Sequence, residues 1–203
     1  MALIAVLCMT TVGWSQEQAP KPDEASAPGK IEFTGTNSMF TNTGIFPSWK
    51  FTKVEIPNGD VEKGVVELEI DLNEIETNRG ERLIKHLKSA DFFDVAKFPT
   101  AKLTIREAKP VEDQPSQYIA KATMEIRKAK VDFDIPFIYL ANTHRVRGEV
   151  TLSRTALTVG EPEKKLDPLS IDDAVKVVFE AQLPRAAFQT TSAEAQDDPV
   201  QAP

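Results

Sequence analysis

Few side chains in this sequence are equipped for chemistry. There is one cysteine, Cys8, and there are two histidines, His86 and His144. That inventory excludes CxxC-type zinc sites, disulfide scaffolds and histidine-rich metal centres. The histidines lie far apart in the chain with no acidic pairing beside either, so they suggest neither a triad nor a metal site. His86 falls on a helical face, where it could touch a ligand head group or simply make a structural hydrogen bond. His144, in Asn142-Thr143-His144-Arg145, reads as solvated. Arg154 could meet a phosphate or diphosphate, or brace the framework against a carboxylate. Asp91 and Asp94 resemble a paired carboxylate, yet capping of a helical turn accounts for their spacing. The expectation is a protein with no catalytic residue, no metal ligand set and no cofactor.

The elements that carry these residues are mostly strands. In Val66-Glu67-Leu68-Glu69-Ile70-Asp71-Leu72 every second residue is aliphatic and the others are acidic, the pattern of a strand with one buried face. The alternation recurs at Ala120–Ile126, Val131–Pro136, Arg145–Leu152 and Val175–Leu183, with shorter runs at Ile31–Thr36, Phe51–Ile56 and Leu103–Ile105. That makes eight strands, each wet on one face, which requires antiparallel pairing in a sandwich or a barrel. Pro136 lacks a ladder donor and must lie at an edge, a bulge or an opening. The inward stripe Phe33, Leu68, Ile70, Ile105, Met124, Ile126, Phe133 and Phe179 either fills this interior or lines a cavity in it.

One segment departs from period two. Asn78-Arg79-Gly80-Glu81 offers an N-cap with a glutamate three residues on, and Leu83, Ile84 and Leu87 follow at helical spacing. Asp91 is placed to cap a second turn, Phe92-Phe93-Asp94-Val95. Two adjacent phenylalanines need cover, so this insert, residues 78–96, should plug one end of the β structure.

Composition bounds the remainder. The 203 residues are 41% hydrophobic, 27% charged and 7% aromatic, with a formal charge of −7. Lysine and arginine are dispersed, so nucleic acid is not an expected partner. Residues 1–15 combine an apolar run too short to span a bilayer with Gly13 and Ser15 ahead of a cut before Gln16, and read as a signal peptide. Leu7 is too bulky for Cys8 to be a lipoprotein site. Residues 16–29 and 184–203 are poor in bulky apolar groups and read as a disordered linker and a disordered tail. The folded unit is then 30–183, in a mature chain with no stable transmembrane segment, and composition leaves a homodimer open.

The run His86-Leu87-Lys88-Ser89-Ala90-Asp91-Phe92-Phe93-Asp94-Val95-Ala96-Lys97-Phe98-Pro99, preceded by Ile75-Glu76-Thr77 and Arg82, closely resembles the signature of the YceI-like family of lipid and polyisoprenoid-binding proteins. Gly44-Ile45-Phe46 is similar to the family's G-x-F element, and Arg154-Thr155 to the start of its arginine-containing element. Leu157 and Thr158 stand where the family commonly has an aromatic and a glycine. The resemblance implies an all-β, antiparallel, eight-stranded lipocalin-like barrel, periplasmic or secreted, holding a long isoprenoid lipid of polyprenol or quinone type. It favours an open cavity, with the apolar stripe and Phe93 as its lining and His86 and Arg154 as head-group contacts. The alternative is a filled, ligand-free barrel, envelope- or stress-associated, that acts through a protein partner.

Overall fold

The structure, a computed structural model, describes residues 28–164, 167 and 170–188. The expected signal peptide, and the linker and tail apart from residues 28–29 and 184–188, lie outside the described residues. Ten strands form one antiparallel sheet: β1 (Gly29–Thr36), β2 (Thr41–Ile45), β3 (Trp49–Glu55), β4 (Val65–Asp71), β5 (Glu76–Thr77), β6 (Thr100–Pro110), β7 (Gln117–Ile126), β8 (Ala129–Leu140), β9 (Arg145–Ser153) and β10 (Ala174–Gln182). One helix, α1 (Glu81–Lys88), lies between β5 and β6.

The strand order is β3-β4-β6-β7-β8-β9-β10-β1-β2-β5, and its two ends meet. β2 continues into β3 through Phe46-Pro47-Ser48, and β4 continues into β5 through residues 72–75. The two broken strands run along each other: Gly44 faces Thr77, Ile45 faces Glu76, and beyond the break Trp49 faces Ile70. At the break the Phe46 amide donates to the Ile31 carbonyl of β1 (3.0 Å), while the Ser48 carbonyl accepts from the Asp71 amide of β4 (2.9 Å). The indole of Trp49 donates to the Gly29 carbonyl (3.3 Å). The curled sheet thereby wraps round a single apolar interior.

The expected eight strands are all present, and β2 and β5 bring the count to ten. Neither added strand has a pattern to find. Thr41-Asn42-Thr43-Gly44-Ile45 shows no apolar alternation, and Glu76-Thr77 is too short to show any. Both exist because they pair with each other and β2 pairs with β1, which is a tertiary cause.

Alternation places the inner wall as expected. Leu68 and Ile70 of β4 are buried while the flanking Glu67 and Glu69 are half-exposed. Several inward positions are alanine: Ala101, Ala108, Ala120, Ala122 and Ala181 are all buried. Pro136 faces Ile119 of β7, and the β8–β9 ladder begins only at the next residue, Phe137 opposite Gly148. Proline thus sits where β8 and β9 part. Gly148 is required there, because a Cβ would lie 2.4 Å from the Pro136 carbonyl oxygen and 2.5 Å from the Phe179 ring.

Four local expectations are corrected. Asn78 does not cap the helix: its Oδ1 accepts from the Thr43 amide (3.1 Å), and Gly80 occupies the N-cap with no side-chain bond. Asp91 is exposed and the buried carboxylate is Asp94, which pairs with Lys97 (3.2 Å). Residues 185–188 are not a featureless tail but a 3-10 turn that stacks Phe188 on His144, ring centroids 4.0 Å apart. His144 is accordingly half-buried rather than solvated, with Nδ1 3.0 Å from the Tyr139 hydroxyl. The proline-terminated composition of the tail hides this because one aromatic, Phe188, supplies the docking.

The crowding at Gly148 leads to a direct expectation. Gly148→Ala should lower stability by about 1–3 kcal/mol through overpacking against Pro136 and Phe179, read as a lower urea midpoint at unchanged slope.

Candidate functional site

Two apolar cavities occupy the interior, of about 160 Å³ and 280 Å³. They share Phe46, Ile70, Met124, Leu152 and Val177, which form a waist between them. Along each strand the lining passes from one chamber to the other. On β10, Val175 lines the larger, Val177 both, and Phe179 and Ala181 the smaller; on β1, Phe33 and Gly35 line the larger and Ile31 the smaller. The chambers therefore lie end to end along the strands. From Val175 to Ala181 is six strand steps, about 20 Å of length.

All nine lining candidates read from the sequence reach this interior. Leu68, Ile105, Phe133 and Phe179 line the smaller chamber, Phe33, Phe93 and Ile126 the larger, and Ile70 and Met124 both. The small side chains of Ala101, Ala108 and Ala181 on the same wall leave the space that bulkier residues would occupy. The walls offer almost no polar partner, and an apolar cavity of this kind excludes water and accepts apolar guests.

Each chamber ends in a plug. At the small end, the 3-10 turn at Val61–Lys63 brings in Val61, and Ile56, Tyr139, Leu183 and Phe188 make a second apolar cluster. At the large end, α1 supplies Leu83 and Leu87, and the following turns supply Phe92 and Phe93. The insert therefore closes one end of the wall.

This closure depends on two arginines. Arg154 is 5% exposed, and its guanidinium donates to four backbone carbonyls: Asp172 (3.0 Å), Val159 (3.2 Å), Ile171 (2.6 Å) and Glu161. It braces the 154–173 loop through main chain rather than through a carboxylate. Gly160 of that loop has φ +75°, and a Cβ there would come within 2.9 Å of the Arg154 guanidinium. Arg127, which sequence patterns did not single out, occupies the β7–β8 turn with φ 53°. It donates to Phe92 (2.6 Å), Thr158 (2.5 Å) and Ala90 (3.2 Å), tying the insert to the 154–173 loop. No local signal marks such a residue, since its partners lie more than thirty positions away.

His86 is exposed, packs edge-on against Phe92 with ring centroids 4.8 Å apart, and lines the larger chamber. It also borders a polar vestibule of about 270 Å³ with Arg154, Asp91, Glu161, Lys164 and Ser170. The two sequence candidates for head-group contact thus meet at one mouth. Arg154 reaches it with most of its donors committed to carbonyls. Among the described residues no three histidine, cysteine, aspartate or glutamate side chains gather as a metal site, and no helix is long and apolar enough to cross a membrane.

Two carboxylates dock the loop, the first being Asp172, which accepts from the Thr36 hydroxyl of β1 (2.5 Å). Asp173 accepts from the Thr155 amide (2.9 Å) and hydroxyl (2.5 Å), and hydrogen bonding from the Ser153 and Thr155 side chains holds its pKa below the usual carboxylate range.

Comparison with known proteins places this geometry. A family model described as YceI-like domain matches residues 24–183. Among solved structures, BcnA of Burkholderia cenocepacia is similar with a TM-score of 0.65 at 19% identity, covering 75% of this chain and 94% of that one. The YCEI protein of Campylobacter jejuni gives 0.54 at 12% identity, over 86% of this chain and 94% of that one. A polyisoprenoid binding domain from Saccharophagus degradans, implicated in plant cell wall breakdown, gives 0.50 at 16% identity, over 78% and 96%. At these identities the likeness speaks for the fold. No curated protein matches.

Two expectations follow from the site. Phe133 is half-buried against open space, so Phe133→Ala should cost about 2 kcal/mol, less than the ~3–5 kcal/mol of a close-packed phenylalanine, as measured by denaturant titration. Asp173 has a folded pKa below its unfolded one, so its stabilisation is complete above the unfolded pKa and is lost as pH falls through the folded value. Acidification below roughly pH 4 should lower the thermal midpoint, and Asp173→Asn should remove part of that acid dependence.

Proposed function

The chain belongs to the YceI-like domain family, and from that premise we propose that it binds and carries one long isoprenoid-type lipid, a polyprenol or quinone, along its apolar interior. The observation that carries this reading is the pair of chambers lying end to end and sharing a waist of apolar side chains. Neither chamber alone reaches the ~300 Å³ at which small-molecule pockets begin; joined through the waist they form an elongated site. Met124 belongs to that waist, and its unbranched, flexible side chain suits a passage that must admit a threaded chain.

The dimensions indicate what fits. An extended chain of three covalent bonds advances at most about 3.6 Å, so about 20 Å of strand length accommodates roughly four extended isoprene units. A longer lipid would fold back or emerge at the α1 end. Burial contributes on the order of 0.8 kcal/mol per methylene-sized group before ordering costs. Tight binding therefore needs few polar contacts, and none of the binding involves covalent chemistry, which fits a carrier rather than an enzyme. The name of the Saccharophagus degradans domain supports the same class of ligand.

The head would lie in the polar vestibule beside His86. Residues 154–173 carry Arg154, Lys164 and Lys165 against Glu161, Glu163, Asp167, Asp172 and Asp173, and Lys164 is paired with Glu161 (2.9 Å). That balance suits a neutral hydroxyl or quinone head better than a diphosphate. A periplasmic or secreted location, with removal of residues 1–15, goes with the proposal, since a polar medium is where an apolar lipid needs a carrier.

The test is native mass spectrometry of the protein purified from its own source, followed by organic extraction. We expect a stoichiometric adduct released as a neutral prenyl lipid, lost in Met124→Trp while the melting temperature stays near that of the parent. A clean apo mass that persists after incubation with polyprenols and quinones would overturn the proposal in favour of a ligand-free barrel.

A further inference from the structure

We propose that the α1 end of the molecule is a docking surface for a lipid bilayer bearing anionic head groups. This goes beyond the ligand reading, because the surface can be assayed whether or not the interior holds cargo.

Two large apolar side chains stand out at the β1–β2 turn. Met39 is 59% and Phe40 41% exposed. They are not loosely displayed. The Asn37 Oδ1 accepts from the Met39 and Phe40 amides (2.9 and 2.8 Å), and the Asn37 amide donates to the Phe40 carbonyl (3.0 Å). This clasp holds both side chains at a fixed tip. Held outward side by side, they offer an apolar point of contact.

One cation sits directly on that tip, and others follow on α1. The Arg79 guanidinium lies 4.4 Å above the Phe40 ring, joining the turn to the approach of α1. From Arg79 the chain continues with Arg82, Lys85 and Lys88 at three-residue spacing, which keeps successive cations on neighbouring parts of one helical surface. Elsewhere among the described residues, eleven lysines and arginines lie within ion-pair distance of a carboxylate. None of Arg79, Arg82, Lys85 and Lys88 does, although Glu74, Glu76 and Glu81 are near in sequence. Seven other described lysines and arginines also lack an ion pair, but nowhere else among the described residues do four such cations fall within ten residues.

The opposite side of the same helix faces inward. Leu83 and Leu87 line the larger chamber, as does Asn42 just beyond the Phe40 tip. The cationic, apolar-tipped surface is therefore the rim of the cavity. Apolar groups that enter the acyl boundary, ringed by lysine and arginine, are the composition of an interfacial membrane contact. Pairing this patch with its own copy would set like charge against like, whereas an anionic bilayer complements its cations. Docked in this way, the protein would exchange an apolar lipid with the membrane without taking it through water.

The experiment is flotation of the full chain with vesicles of phosphatidylcholine mixed with phosphatidylglycerol, and with vesicles of phosphatidylcholine alone. The protein should float with the anionic vesicles, and added salt should weaken this. Arg82→Glu/Lys85→Glu should reduce partitioning by about tenfold or more, since each basic residue near an anionic surface contributes roughly a fivefold gain. Met39→Ser/Phe40→Ser should weaken it independently of salt. Both pairs are exposed, and an unchanged melting temperature would confirm that folding is intact. Absence from the anionic vesicles overturns the proposal, as does equal recovery with phosphatidylcholine alone or unchanged flotation of both variants. A dimer that Met39→Ser/Phe40→Ser converts to monomer, without vesicle binding, would assign the patch to a second copy instead. Flotation without any prenyl cargo on extraction would leave the docking surface standing and remove only the ligand reading.

Discussion

The wall holds its shape because one short kink, Phe46-Pro47-Ser48, bonds in two directions. Its first residue donates to β1 and its last accepts from β4, so the two ends of a ten-strand sheet are joined through a strand that changes partners. A sheet with free edges exposes unpaired amides and carbonyls and can flatten against another chain. Closing it fixes the curvature, and curvature turns a set of one-sided strands into an enclosed interior. Everything proposed about binding depends on that enclosure.

What the wall encloses is decided by side-chain size. Protein interiors are normally close-packed, and a wall of leucine and phenylalanine at every inward position would fill this one. Ala101, Ala108 and Ala181 line the chambers, and the missing atoms are the cavity. Keeping such a space costs stability, since cavity-lining groups lose contacts. The cost is offset at the ends of the wall, where the insert, the 154–173 loop and the Phe188 turn add apolar cover.

The large end is closed by main-chain recognition. Arg127 and Arg154 satisfy carbonyls of irregular segments that have no ladder to satisfy them. Burying a guanidinium is costly unless its donors are bonded, so these loops and arginines stabilise one another or not at all. The same end carries the rim of unpaired cations and the Met39-Phe40 tip. Rigid closure and the proposed membrane surface thus meet at the same end of the interior.

Period two and its interruption determined much of this from the sequence alone: one-sided strands, an antiparallel sheet, a helical insert at one end, and a stripe of eight side chains, from Phe33 to Phe179, that faces the interior. Those inferences succeed because alternation is a local consequence of strand geometry. The family resemblance of residues 86–99 likewise rests on contiguous residues. Tertiary structure alone decided the rest. Strands β2 and β5 exist only through their pairing, and Asn78 abandons the helix cap because Thr43 lies within reach. His144 is covered by a ring forty-four positions away, and Arg127 finds carbonyls in two other segments. Hydrogen-bond partners and enclosed volume depend on which remote segments converge, and no pattern along the chain records that convergence.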